Sequence, residues 1–342
     1  MRRATVFGLA VLASLLVLFG GYTAYWLIAA ERIKDGVAAW AQSARDRKID
    51  VSWQTVRVAG FPLDFRVELR NAVLRDDAYS PAPELGIPVL LGSAWPWDFA
   101  DWRLAARDGL SADLAGAGGR PPLKLAAHTA DGAVALDRQG GAVVWLSLED
   151  VGADASDRVQ VGAANSWIIL PPKPARAHTE PSLGIALDLR QVQLPAAARA
   201  LGDSIGELAF GVTVKGALPS GRLVPAVSAW RDAGGTIELD HLHLDWGGVG
   251  ATATGTIALD QDLQPIGGFS GAIQGYDRVL TALVQAGRMR AGDAGLAQLA
   301  LTMLAKAGPD GRPEIATSFT IQNGQMYLGP ARLGRAPRIA WE

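Results

Sequence analysis

Hydrophobic and polar positions change their period along the chain. From Thr5 to Ala30 no residue is charged, and Val6 to Leu18 is almost wholly apolar. A bilayer-spanning helix needs about 20 predominantly apolar residues, so this stretch predicts a membrane span. Tyr22, Tyr25 and Trp26 cluster near its far end, as aromatics at a membrane–water interface do. Beyond it Ile33, Val37, Trp40, Ala41 and Ala44 recur at i, i+4, i+7, i+8 and i+11, one face of a helix. The expected order is a cytoplasmic tip and transmembrane anchor over 1–30, then an amphipathic helix over 31–48.

The period then becomes two. From Leu63 to Arg70 every odd position is apolar and every even one charged. Side chains alternate across a strand, so this strand has one apolar and one wet face. Leu183, Ile185, Leu187 and Leu189 repeat the pattern, as do Leu208, Phe210, Val212 and Val214. Further on, Ile257 and Leu259 alternate with Thr256 and Asp260, and Phe319 and Ile321 with Ser318 and Thr320. Clean alternation predicts antiparallel sheet, because buried parallel strands read as continuous apolar runs. Asn323-Gly324 between alternating segments predicts a tight hairpin. The fold class expected is therefore mainly β, a large curved antiparallel sheet or sheets with a few covering helices behind the membrane helix.

Helices are expected at 278–289, capped by Asp277, and at 294–307, capped by Asp293 and stopped by Gly308-Pro309. A shorter one is expected from Pro195 to Leu201. The Pro-rich run from Leu170 to Pro181 divides a β-rich part over 49–175 from another over 182–342, or is a long loop within one sheet.

A cleaved signal peptide is the competing reading of the first segment. Its apolar region is shorter, however, and the one tolerable cleavage pattern, Ile28-Ala29-Ala30, lies late. Lys and Arg are more numerous on the far flank (Arg32, Lys34, Arg45, Arg47, Lys48) than at Arg2 and Arg3. Large following domains are translocated largely regardless of flanking charge. The expectation is a single-pass inner-membrane protein with the bulk of the chain in the periplasm. Arg2-Arg3 fits a twin-arginine signal poorly, given Ala4-Thr5-Val6 after it.

Composition narrows the function classes. The 342 residues carry 32 Lys+Arg against 34 Asp+Glu, which gives no electrostatic footprint for nucleic acid. With no cysteine there is no disulfide, thiolate metal site or Cys nucleophile. At 49% hydrophobic and 19% charged the chain is too apolar for disorder. Part of that content is the anchor, and amphipathic strands joined by tight turns account for the low charge and 40 glycines.

Three constellations hold candidate chemistry. Gly202-Asp203-Ser204-Ile205-Gly206 matches G-x-S-x-G, but that motif needs a strand before Ser204 and a helix after it. Here the order is reversed, which reads as a helix end and turn. His241, His243 and Asp245 share one face of a strand and have the chemistry of zinc ligands. They equally fit the wet face of a half-buried strand, with a bulge near Asp240 resetting the parity of Ile237 and Leu239. Trp95, Trp97 and Trp102 crowd a short segment. They read as core packing under a long loop, as a partner hot spot, or as a seat at the membrane headgroups. No phosphate-binding loop, dinucleotide fingerprint, H-E-x-x-H or calcium loop occurs, so no catalytic, cofactor-binding or metal-binding residue is expected.

Two stretches carry a family resemblance. Val58-Ala59-Gly60-Phe61-Pro62-Leu63-Asp64-Phe65-Arg66, soon after an anchor and helix, resembles the "GFP" segment of a proteobacterial envelope family catalogued as domain of unknown function 2125. Leu242 to Leu333, with Asp245-Trp246-Gly247, Ala253-Thr254-Gly255-Thr256-Ile257-Ala258-Leu259-Asp260 and Asn323-Gly324-Gln325-Met326-Tyr327-Leu328-Gly329-Pro330, resembles it too. The resemblance implies an uncharacterised envelope protein, with no catalytic residues to carry over. More loosely, an anchor followed by amphipathic strands is similar to AsmA-like envelope proteins, in which curved sheets form a trough for acyl chains.

The function expected is therefore non-enzymatic: a membrane-anchored, periplasm-facing protein that holds lipid or another apolar molecule in a β-lined groove for envelope maintenance. Its expected partners are the bilayer, through the N-terminal helix, an apolar ligand, and envelope proteins. The competing readings are an assembly or scaffolding factor acting through protein contacts, and a hydrolase using Ser204.

Overall fold

The computed structural model describes residues 2–79, 81–114, 122–154, 157–219, 221–308, 311–329 and 331–341. Contacts divide the chain into two compact units, Met1–Val134 and Ala135–Glu342.

The first unit opens with α1 (Arg2–Arg45), one unbroken helix that joins the expected anchor to the expected amphipathic segment. The join at Ala29-Ala30-Glu31-Arg32-Ile33-Lys34 contains no helix breaker. Trp26, Ala30, Ile33, Val37, Ala41 and Ala44 recur every three or four residues, and this stripe is buried at Trp26, Ala30, Ala41 and Ala44. Trp40 lies at the edge of the stripe and is exposed.

The stripe docks on strands. Those of this unit are β1 (Ile49–Ser52), β2 (Thr55–Ala59), β3 (Phe65–Asp76), β4 (Glu84–Trp95), β5 (Asp98–Ala106), β6 (Leu110–Leu114) and β7 (Leu123–Ala127), and β8 (Thr129–Leu136) runs across the division. β1 and β2 share one edge of β3, and β4 holds the other. β5 and β6 both pair with β4, and β7 with β6, all antiparallel. The alternation expected over 63–70 is present in β3, where Phe65 and Val67 are buried and Arg66 is exposed. The strand begins at Phe65, and Leu63 belongs to the turn before it. Trp26, Ala30 and Phe65 form one small core, and Ala41, Ala44 and Val51 another. Full burial of Phe65 contributes about 1.5–3 kcal/mol.

The second unit is an antiparallel meander. It comprises β9 (Ala142–Asp154), β10 (Arg158–Leu170), β11 (Pro181–Gln193), β12 (Ser204–Lys215), β13 (Thr236–Trp246), β14 (Val249–Leu259), β15 (Pro265–Gln274), β17 (Pro313–Gln322), β18 (Gln325–Leu328) and β19 (Ala331–Arg335), each beside its neighbour in this order. The two-residue β16 (Lys306–Ala307) adds to one end of β17. The Pro-rich run between Leu170 and Pro181 joins two directly paired strands, so it is a connection inside this sheet. The division between compact units falls at Val134/Ala135, well before it. Asn323 and Gly324, both at positive φ, form the expected two-residue hairpin closed by Gln322 opposite Gln325. The expected bulge is at Asp240, where the partners of Gly211 and Val212 jump from His241 to Leu239.

Helices sit at the strand ends of this unit. The segment expected as a helix from Pro195 to Leu201 is only a 3-10 turn, Ala196–Ala198. α2 (Leu223–Asp232) is absent from the sequence reading, with Pro225 in its first turn, where a missing N–H costs nothing. Its Trp230 is buried, and the indole N–H donates to the Lys215 carbonyl at 2.8 Å. α3 (Tyr276–Gln285) starts after Gly275, which takes the left-handed conformation, so Asp277 lies in the first turn and is not the cap. There its charge complements the helix N-terminus. α4 (Ala291–Leu304) begins and ends earlier than expected, because Lys306 and Ala307 join the sheet. Asp293 is inside its first turn, and Pro309 lies outside the described residues.

Candidate apolar binding surfaces

Two apolar surfaces stand out, one in each unit. In the first, the Gly60-Phe61-Pro62 turn receives α1. Gly60 has φ 106°, and a Cβ there would lie 2.5 Å from the Asp64 carbonyl oxygen, so only glycine fits. Leu63 and Asp64 donate their N–H groups back to the Gly60 carbonyl. This places Phe61 against Phe19, Tyr22 and Trp26 of α1, with ring centroids 5.6–6.2 Å apart. The Tyr22 hydroxyl donates to the Pro62 carbonyl, and the Trp26 indole to the Asp64 carbonyl at 3.2 Å. Trp26 stacks on Phe65 at 5.0 Å, and Phe65 meets Phe99 at 5.4 Å.

The tryptophan segment forms the neighbouring hairpin. Trp95 pairs with Asp98 across a turn of Pro96 and Trp97. The Tyr25 hydroxyl donates to the Pro96 carbonyl at 2.6 Å, tying this turn to α1 as well. Trp95 and Trp97 stack at 5.3 Å and project outward, 48% and 72% exposed. They are thus not core under a long loop, because a two-residue turn at the tip of a hairpin leaves no room to fold them inward. Trp102 is half-buried on β5, and its indole donates to the Phe99 carbonyl at 3.1 Å.

In the second unit, strand register aligns the apolar positions into rows across the sheet. One row reads Ile185, Val212, Leu239, Gly255, Phe269, Phe319 and Leu328. The next reads Leu187, Phe210, Leu242, Ala253, Gly271 and Thr317. These positions are half-buried, whereas Thr252, Thr254, Ser270 and Ser318 on the other face are exposed. Among the described residues every strand from β9 to β19 belongs to the one hydrogen-bonded sheet, and α3 and α4 lean chiefly on each other and on β14 and β17. On β14, β15 and β17 the apolar face is the better shielded of the two. A cavity of about 370 Å³ lies on that face, lined by Leu239, Leu242, Ala253, Phe269, Phe319 and Leu328 among others. Sequence periodicity foretold the individual apolar faces; their alignment follows from register.

The polar constellations fall elsewhere. His241, His243 and Asp245 are all exposed on the wet face of β13. The His241 ring lies over Gly211, and His243 Nε2 is 3.7 Å from a Glu207 carboxylate oxygen. Among the described residues no group of three or more His, Cys, Asp or Glu is placed to hold a metal ion. Ser204 opens β12 opposite Gln193, in the order 3-10 turn then strand.

An N-terminal helix long and apolar enough to cross a membrane, leading into antiparallel β units, defines a β-rich protein with a candidate membrane anchor. Residues 26–337 match the model of a family described as an uncharacterized protein conserved in bacteria (DUF2125), and the chain belongs to that family. No curated protein and no solved structure matches it.

Proposed function

We propose that this protein is anchored by α1 in the inner membrane, faces the periplasm, and acts without catalysis by holding a lipid or similar apolar molecule on the apolar face of the second unit. The observation that supports this reading is the run of aligned apolar rows across β11 to β15 and β17, half-buried yet uncovered within the unit. Contiguous apolar surface of this kind marks ligand or partner sites. The cavity at Phe269 and Phe319 is lined mainly by apolar side chains, as an acyl chain requires, with Thr317 a polar residue on the same face. Envelope maintenance is the role such an activity serves.

Photocrosslinking of the full chain in its native envelope tests this. With p-benzoylphenylalanine at Phe269, a lipid-sized adduct on that peptide is expected by mass spectrometry. The same probe at Ser318, exposed on the opposite face and outside the cavity lining, should give none. Absence of adducts at both positions, or equal adducts at both, would sink the reading.

A protein adduct at Phe269 would instead favour an assembly factor. One observation supports that second reading. α4 turns Ala294, Ala297 and Leu301 toward the body and leaves Leu296, Leu299, Met303 and Leu304 between 66% and 88% exposed. A helix with its larger apolar side chains outward is suited to pairing with another protein.

A further inference from the structure

We infer that the Gly60–Asp64 turn and the Trp95–Asp98 hairpin form a lipid-facing collar, which seats the first unit in the headgroup zone of the leaflet where α1 emerges. The inference rests on α1 being a membrane span and adds a second, separate contact with the bilayer.

Helix geometry sets the depth. The uncharged stretch from Thr5 to Ala30 is 26 residues, about 39 Å at 1.5 Å per residue, against a hydrocarbon core of about 30 Å. Its surplus falls where Tyr25 and Trp26 stand, just before Glu31 and Arg32. Among the described residues the ring contacts and hydrogen bonds of the two turns with α1 all lie before Glu31. The turns touch the helix inside the uncharged stretch, at Phe19, Tyr22, Tyr25 and Trp26. Phe19 lies twelve residues, about 18 Å along the axis, before Glu31. With that surplus of about 9 Å on the Tyr25 side, the Pro96 turn held by Tyr25 sits at the headgroup boundary, and Phe61, seated on Tyr22 and Phe19, dips about 5–9 Å below it.

The chemistry of the tips agrees with that depth. Phe61, Pro62 and Leu63 form one tip, and Trp95, Pro96 and Trp97 the other, with no charged residue in either. Leu63 is 67% exposed and Trp97 72% among the described residues. Away from the tips, charge returns at once in Asp64, Arg66 and Asp98. Tryptophan is the residue of choice where an apolar ring must also meet headgroup polarity. The occupant is the bilayer around α1, because the same helix that orders the loops carries them to the lipid.

The absence of cysteine makes the test direct. Single variants L63C and W97C, and E84C as control, are labelled with an environment-sensitive fluorophore in the full chain and reconstituted in phosphatidylethanolamine/phosphatidylglycerol vesicles. Glu84 begins the strand that ends at Trp95, eleven residues or about 36 Å away. Labels at Leu63 and Trp97 should be blue-shifted and quenched several-fold more by spin-labelled lipid than the label at Glu84, and less by aqueous iodide. If all three are equally open to iodide while the chain floats with the vesicles, the collar is overturned and the anchor stands. Shielding from both quenchers would mean a protein covers the tips, which also overturns it. Failure of the chain to float would remove the anchor itself, and the collar with it.

Discussion

The two units begin from the same alternating strands and treat the apolar face in opposite ways. In the first, the docking stripe of α1 covers it at β1, β2 and part of β3. Ala41 and Ala44 let the helix approach Val51, and Trp26 stacks on a Phe65 that no solvent reaches. In the second, the apolar rows cross a longer meander, and the helices stay at the strand ends. Buried residues there, such as Trp230, Val249, Leu263 and Leu280, lie near turns and helices, while the centre of the rows is only half-buried. A covered face stabilises; an uncovered one is available for binding.

The largest expected effect tests this contrast with one residue type. Phe65→Ala should destabilise the first unit by about 3–5 kcal/mol, the cost of emptying a fully buried aromatic site. Phe269→Ala, on the open face, should cost only about 1–2 kcal/mol, since a half-buried ring contributes part of the full transfer energy. Urea denaturation of the two variants, followed by circular dichroism, compares them. Equal costs would mean that the second face is covered as fully as the first.

The next effect concerns the helix end of the open sheet. A Cβ on Gly235 would lie 2.2 Å from the Trp230 ring, so Gly235→Ala should displace the indole and cost about 1–3 kcal/mol, read as a lower melting temperature. Lipid capture at Phe269 should survive if the strand-end helices support the sheet without closing it.

A smaller change is expected at the hairpin. Gly324 has φ 66° with open space around it, so Gly324→Ala strains only the backbone, by about 1 kcal/mol. Protection from hydrogen exchange should fall first in β18 and leave the first unit untouched.

The smallest concerns the Pro-rich connection. Glu180 accepts the backbone N–H groups of Arg176 at 2.7 Å and Ala177 at 3.4 Å, and these bonds hold its carboxyl below the ordinary glutamate range. A lowered folded value means this contribution is present above the ordinary glutamate range and is lost as pH falls through the lowered one. Melting of Glu180→Gln should therefore differ slightly from wild type near neutrality and converge with it in acid. A difference that grows with acidity would reverse the sign.

Particular elements show how far local pattern reaches. Alternation over 63–70 marked β3, and Asn323-Gly324 marked its hairpin, because both obey rules within a few residues. The parity break at Ile237 and Leu239 located the bulge at Asp240 for the same reason. α2 escaped notice because Pro225 near its start hides a short helical pattern. The 195–201 segment shrank to a 3-10 turn because paired strands claim both sides of it. Of the tryptophans, pattern alone found the cluster; the direction of Trp95 and Trp97 came from the two-residue turn that carries them.

By itself, the sequence determined the membrane-length helix, the antiparallel strands with one apolar face each, the Asn323-Gly324 hairpin, and family membership. The tertiary structure decided which apolar faces are covered and which stay open, and where the aromatic turns meet α1. Those outcomes rest on pairs such as Tyr25 with Pro96 and Tyr22 with Pro62, 71 and 40 residues apart. A period of two or 3.6 tells each residue which way to face along its own element. Only register and docking between distant segments settle what it faces.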